Sequence, residues 1–131
     1  MTKLSRDEIK VRGIGRFFKS FKYSFEGLIY AYKNEQSLMI HFILSVTAII
    51  LGLLLGINKM EWIIIILAIS VILIVELFNS AIEAVVDLVT LDFNNLAKIA
   101  KDCGSAATFV VSLAGVIVCL SIFIPYIIDA L

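Results

Sequence analysis

Three long apolar runs, over 38–57, 62–91 and 103–128, decide what this chain can fold into. A helix needs ~20 apolar residues to cross a ~30 Å hydrocarbon core, and each run meets that length. Lipid offers the backbone no hydrogen-bond partners, so such runs are read as spanning α-helices that satisfy themselves. With 61% hydrophobic residues, 17% charged residues and a mean hydropathy of +1.04, the composition excludes an ordinary soluble domain. The expected fold is an all-α membrane protein with an N-terminal amphipathic surface helix and three transmembrane helices per protomer.

Charge is distributed unevenly along this frame. Eleven basic and eleven acidic residues cancel, but the stretch from Lys3 to Lys33 precedes the first span and is rich in Lys and Arg. Residues 1–13 lack apolar periodicity and are expected to be a flexible arm. From there Phe17, Phe21, Phe25, Leu28, Ile29 and Tyr32 recur at helical spacing, with Arg16, Lys19, Lys22, Tyr23, Glu26, Tyr30 and Lys33 on the other faces. Residues 14–35 therefore read as an interfacial helix, aromatic side in the headgroup region and cations toward lipid phosphates. No charged opening followed by a short apolar core and a cleavage site is seen, so all membrane segments are expected to be retained. Basic arms stay in the cytoplasm. The N-terminus and the loop with Lys98 and Lys101 are then cytoplasmic, and the turn at Lys59 is outside.

The stretch Asn34-Glu35-Gln36-Ser37 is expected to turn the chain into the first span, and Asn58-Lys59-Met60-Glu61 to be a tight turn before Trp62. His41, near the start of the first span, reads as a structural histidine. Cys103 and Cys119 fall on one helix, about 24 Å apart at ~1.5 Å per residue, and are read as reduced packing residues.

The second run exceeds the bilayer and carries acids. At about 100° per residue, Glu76, Asn79, Ser80, Glu83 and Asp87 share one helical face. From Trp62, Glu76 lies ~21 Å along the axis and Glu83 ~31 Å, so the ladder climbs from lipid toward water. An ionisable group at the bilayer centre costs on the order of 3 kcal/mol, which marks the ladder as a candidate functional site. Glu35, the ladder and Lys101-Asp102 are expected to converge at one interface.

Three classes of function compete for this pattern. Carboxylates at a water-facing interface can hold Mg²⁺ together with phosphate oxygens, while a deeper one can take a proton from a lipid hydroxyl. Phosphoryl transfer to a lipid needs that vertical division. A small transporter also uses intramembrane acids, though nearer the midplane and on repeated or broken helices. A structural reading has the acids clamp helices in an oligomer. No Gly-x-x-x-x-Gly-Lys-Ser/Thr loop is present, and Gly13-Ile14-Gly15 alone is a weak signal. Any ATP site must come from the helices.

The ladder from Glu76 to Asp87, followed by Leu96-Ala97-Lys98-Ile99-Ala100-Lys101-Asp102-Cys103-Gly104-Ser105-Ala106-Ala107, resembles the prokaryotic diacylglycerol kinase family. The similarity extends through Arg16-Phe17-Phe18-Lys19-Ser20-Phe21 and Lys33-Asn34-Glu35. It implies a homotrimeric kinase of the bacterial plasma membrane, with ATP as donor, Mg²⁺ as cofactor and a membrane lipid as acceptor, its sites built between protomers. It further implies that Glu76 is the general base, with Asn79 close to the reacting phosphate. Glu35 and Glu83 bind the metal and, with Tyr23, Asp87, Lys101 and Asp102, the nucleotide. Arg16 and Ser105 lie near the lipid. The connecting loop of the family often carries a histidine, which Phe93-Asn94-Asn95 lacks. Segments such as Ile122-Phe123-Ile124-Pro125 are similar to the undecaprenol kinase branch, while Gly104-Ser105-Ala106-Ala107 resembles the diacylglycerol kinase branch; the resemblance favours undecaprenol.

Overall fold

The computed structural model describes residues 14–130, the side chain of Arg16 excepted. The expected arm over 1–13 lies outside the described residues. Among these residues the chain forms four helices: α1 (Ile14–Asn34), α2 (Gln36–Leu55), α3 (Lys59–Val89) and α4 (Asn95–Asp129). They fall into two units, one ending at Asn34 and one beginning at Glu35.

In α1 the aromatic residues do stack at helical spacing. Phe17 and Phe21, one turn apart, meet edge to face with centroids 4.9 Å apart. Lys22 and Glu26 form an i,i+4 ion pair at 3.7 Å on another part of the surface.

The second unit is a bundle of α2, α3 and α4. Only Glu35, in an extended conformation (φ −104°, ψ 111°), separates α1 from α2, so the turn expected over Asn34–Ser37 shrinks to one residue. Gly56 closes α2 in the left-handed region (φ 65°) and donates its N–H to the Gly52 carbonyl, a conformation that carries no steric penalty for glycine.

Both remaining helices start earlier than the apolar pattern suggested, for a capping reason. Asn58 Oδ1 accepts from the N–H groups of Met60 and Glu61 at 2.9 and 3.1 Å, and Glu61 Oε2 accepts from the Asn58 N–H at 2.8 Å. This capping box makes the polar stretch after Asn58 the first turn of α3 rather than a loop. Asn94 Oδ1 likewise accepts from Leu96 and Ala97 at 2.8 and 3.2 Å. The third apolar helix thus begins at Asn95 instead of Cys103, and the connection after α3 is short.

α3 and α4 run antiparallel. Along their shared seam Glu61 meets Tyr126, Asn79 faces Gly104, and Asp87 meets Lys101. At one end Ala48, Ile57, Ile65, Ile122 and Phe123 form the apolar core, with Trp62 and Tyr126 packed against it. Much of the outward surface is apolar, including Leu53, Leu54, Phe109 and Ile117. All three helices are long and apolar enough to cross a membrane. At ~1.5 Å per residue α3 is ~46 Å long and α4 ~52 Å, so both outrun a ~30 Å core by several turns.

Candidate active site

The polar end of the bundle is organised around Glu76, the one buried charged residue among those described, at 3% exposure. Two residues of α2, one turn apart, reach its carboxylate. Ser37 Oγ donates to Oε2 at 2.9 Å, and His41 Nε2 lies 3.1 Å from Oε1. A carboxylate taken out of water is tolerated only with such partners. Ser112 of α4 stands behind the imidazole, with Oγ 3.4 Å from the same Nε2. His41, expected to be a structural histidine, is one whose ring nitrogen is partnered by the Glu76 carboxylate.

One turn further along α3, Asn79 donates from Nδ2 to Glu83 Oε1 at 2.8 Å. Its Oδ1 is buried and has no hydrogen-bond partner. That oxygen lies so close to Gly104 of α4 that a Cβ at Gly104 would overlap it. At the open end Asp87 Oδ1 and Lys101 Nζ meet at 2.6 Å between α3 and α4. Lys98 pairs with Asp102 within α4. Asp87, Lys101 and Asp102 line one open recess of about 500 Å³, together with Lys98, Asp92, Phe93 and Asn94.

The expected face of α3 is therefore realised as a graded column. Glu76 turns to α2, and Asn79 and Asp87 turn to α4. Ser80 is on the same face, but its hydroxyl donates to the Glu76 backbone carbonyl at 3.2 Å. Glu35 is at the N-cap position of α2 and is partly buried, but it makes no side-chain cap hydrogen bond. Ser105 is exposed on α4. Tyr23 is exposed on α1, whereas the Arg16 side chain lies outside the described residues.

Two features of the site escaped the sequence reading. Ser37 and His41 were visible only as polar residues four apart at the entrance of an apolar run, which is a signal for a buried partner. Ser112 gave no signal apart from its polarity within α4.

Among the described residues no group of three or more His, Cys, Asp or Glu side chains is placed to hold a metal. Mg²⁺ does not need such a cage, because it binds through one or two carboxylates and completes its shell with water and phosphate oxygens. The partly buried Glu83 carboxylate is a hard-oxygen donor of the type that fits.

Fold and site together define a small helical membrane protein whose polar interior is a column of carboxylates ending at a lysine. The sequence profile of the prokaryotic diacylglycerol kinases matches residues 22–123. The chain is 37% identical over 112 residues to the undecaprenol kinase of Bacillus subtilis, covering 86% of this chain and 91% of that protein. It is 41% identical over 98 residues to the diacylglycerol kinase of Pseudomonas aeruginosa, covering 75% of this chain and 80% of that one. It is also 33% identical over 105 residues to the diacylglycerol kinase of Escherichia coli, covering 80% and 86%. The chain belongs to the prokaryotic diacylglycerol kinase family. It is a lipid kinase, a phosphotransferase of a bacterial membrane.

Proposed function

We propose that this protein transfers the γ-phosphate of ATP, with Mg²⁺, to the hydroxyl of undecaprenol, giving undecaprenyl phosphate. The observation that carries this reading is the enclosed Glu76 carboxylate at the deep end of a column that opens toward Asp87 and Lys101. In such a column a lipid hydroxyl is met at the deep end and a nucleotide at the open one.

Glu76 acts as general base. Its carboxylate takes the proton as the lipid oxygen attacks the γ-phosphorus, the bond from that phosphorus to the bridging oxygen breaks, and ADP leaves. Asn79 lies beside the reacting phosphate. Glu35 and Glu83 hold the Mg²⁺, which neutralises phosphate charge when bound. Asp87, Lys101 and Asp102, with Tyr23, bind or shape the nucleotide, and Arg16 and Ser105 contact the acceptor. The protein works as a homotrimer with sites shared between protomers, α1 lying on the cytoplasmic membrane surface and the N-terminus in the cytoplasm. Its breadth of outward apolar surface on α2, α3 and α4 supports both lipid and neighbouring copies as partners.

Undecaprenol is favoured because the similarity to the B. subtilis undecaprenol kinase runs over 91% of that protein. Diacylglycerol, giving phosphatidic acid, is the second reading, favoured by the 41% identity to the P. aeruginosa enzyme. The test is transfer of labelled γ-phosphate from Mg²⁺-ATP in detergent micelles, with each lipid offered separately and then in competition. A higher specificity constant for undecaprenol is expected; preference for diacylglycerol moves the enzyme to the other branch. No transfer to either, from a verified trimer, overturns the kinase reading.

A further inference from the structure

The hydrogen-bond pattern around His41 assigns its protons. Ser112 Oγ donates to the Thr108 carbonyl at 2.6 Å. With that proton committed, the Ser112 oxygen can only accept from the imidazole, 3.4 Å away. The other neighbour of the same Nε2 is the Glu76 carboxylate at 3.1 Å, which when ionised is acceptor-only. With Glu76 ionised, both groups facing Nε2, one on α3 and one on α4, call for an N–H there. The same argument fixes Ser37, whose hydroxyl donates to the other carboxylate oxygen at 2.9 Å.

Each oxygen of Glu76 is thus held by one donor from α2, at positions one helical turn apart. Neither donor uses up its oxygen, since a carboxylate oxygen accepts at two lone pairs. Ser80, the nearest hydroxyl on α3 itself, is spent on the backbone carbonyl of Glu76. The carboxylate's orientation therefore rests on α2, not on its own helix.

We propose that His41 is the positioning residue of this kinase: its Nε2–H, seconded by the Ser37 hydroxyl, aims the ionised Glu76 carboxylate at the acceptor's hydroxyl and offsets the burial of its charge. In this role His41 acts on the reaction through Glu76, and the lipid proton still ends on Glu76. This inference rests on Glu76 being the general base.

Two variants separate positioning from packing. His41→Leu keeps an apolar side chain of moderate size but removes the donor, whereas His41→Gln places an N–H group near where Nε2 stands. In micelles, with whichever lipid the wild type phosphorylates, His41→Leu is expected to lower kcat on the order of 10²-fold, the scale of a lost proton-transfer arrangement. The KM for Mg²⁺-ATP should stay within about twofold, because His41 is apart from the nucleotide recess. His41→Gln should recover roughly tenfold or more of the lost kcat. A kcat for His41→Leu near that of the wild type, or a folded Gln variant no better than Leu, overturns the proposal.

A second readout is independent of turnover. The chain has a single histidine, so ¹⁵N spectra of labelled imidazole report His41 alone. The Nε2 signal should be that of a protonated nitrogen in the wild type and should move in Glu76→Gln. An unprotonated Nε2, or a signal indifferent to Glu76, also overturns the proposal. A wild type that phosphorylates no lipid defeats the kinase reading and the base role with it; an active wild type with an unaffected His41→Leu defeats the positioning role alone.

Discussion

Asn79 on α3 holds its Oδ1 against the backbone of Gly104 on α4, in space that any side chain at Gly104 would fill. The same amide donates to Glu83 at 2.8 Å. The spacing of the two helices at this level therefore sets where the Glu83 carboxylate stands.

Gly104→Ala should accordingly cost stability and activity together. Overpacking of this kind costs about 1–3 kcal/mol, and relief requires Asn79 to move away from Glu83. A lower unfolding midpoint in detergent and a reduced kcat are expected. An unchanged midpoint would show that the helices separate without cost.

Glu76→Gln retains shape and polarity but removes the base. It should lower kcat by at least ~10²-fold, while the KM for Mg²⁺-ATP stays within about twofold. Near-normal turnover would remove Glu76 from the base role.

Glu83→Gln should act on the other substrate. With a carboxylate lost from the proposed metal site, the KM for Mg²⁺-ATP is expected to rise about tenfold or more, partly recovered at high Mg²⁺. Indifference of the residual rate to added Mg²⁺ would count against Glu83 as a ligand.

Orientation can be read by accessibility. In a background without Cys103 and Cys119, a reagent that cannot cross membranes should label Asn58→Cys in intact cells and leave Asn94→Cys unlabelled. The reverse pattern would invert the topology.

The helices and the polar face of α3 were legible because lipid imposes a coarse and strict rule on long apolar runs. What the runs could not reveal was where helices outlast them. Residues 95–102 of α4 bring in Asn95, Lys98, Lys101 and Asp102 because they extend past the apolar segment, and such polarity reads as loop unless the Asn94 cap is given weight. The ladder was visible, but its partners were not. Asp87 and Lys101 are fourteen positions apart and His41 and Glu76 thirty-five, so their meeting depends on how antiparallel helices align rather than on local pattern. His41 shows this: its reading as a structural histidine named no partner, because a lone histidine in an apolar run does not reveal which helix faces it.

The anchoring of α3 at two levels has a mechanical consequence. Near its start Glu61 is gripped by Tyr126 at 2.6 Å, and near its middle Glu76 is gripped by Ser37 and His41. Those anchors lie on different helices and ~22 Å apart at ~1.5 Å per residue. A rod pinned at two points by two separate neighbours can neither tilt nor rotate without releasing one of them. α3 therefore stands in the bundle as a braced axle, held by both of its neighbours.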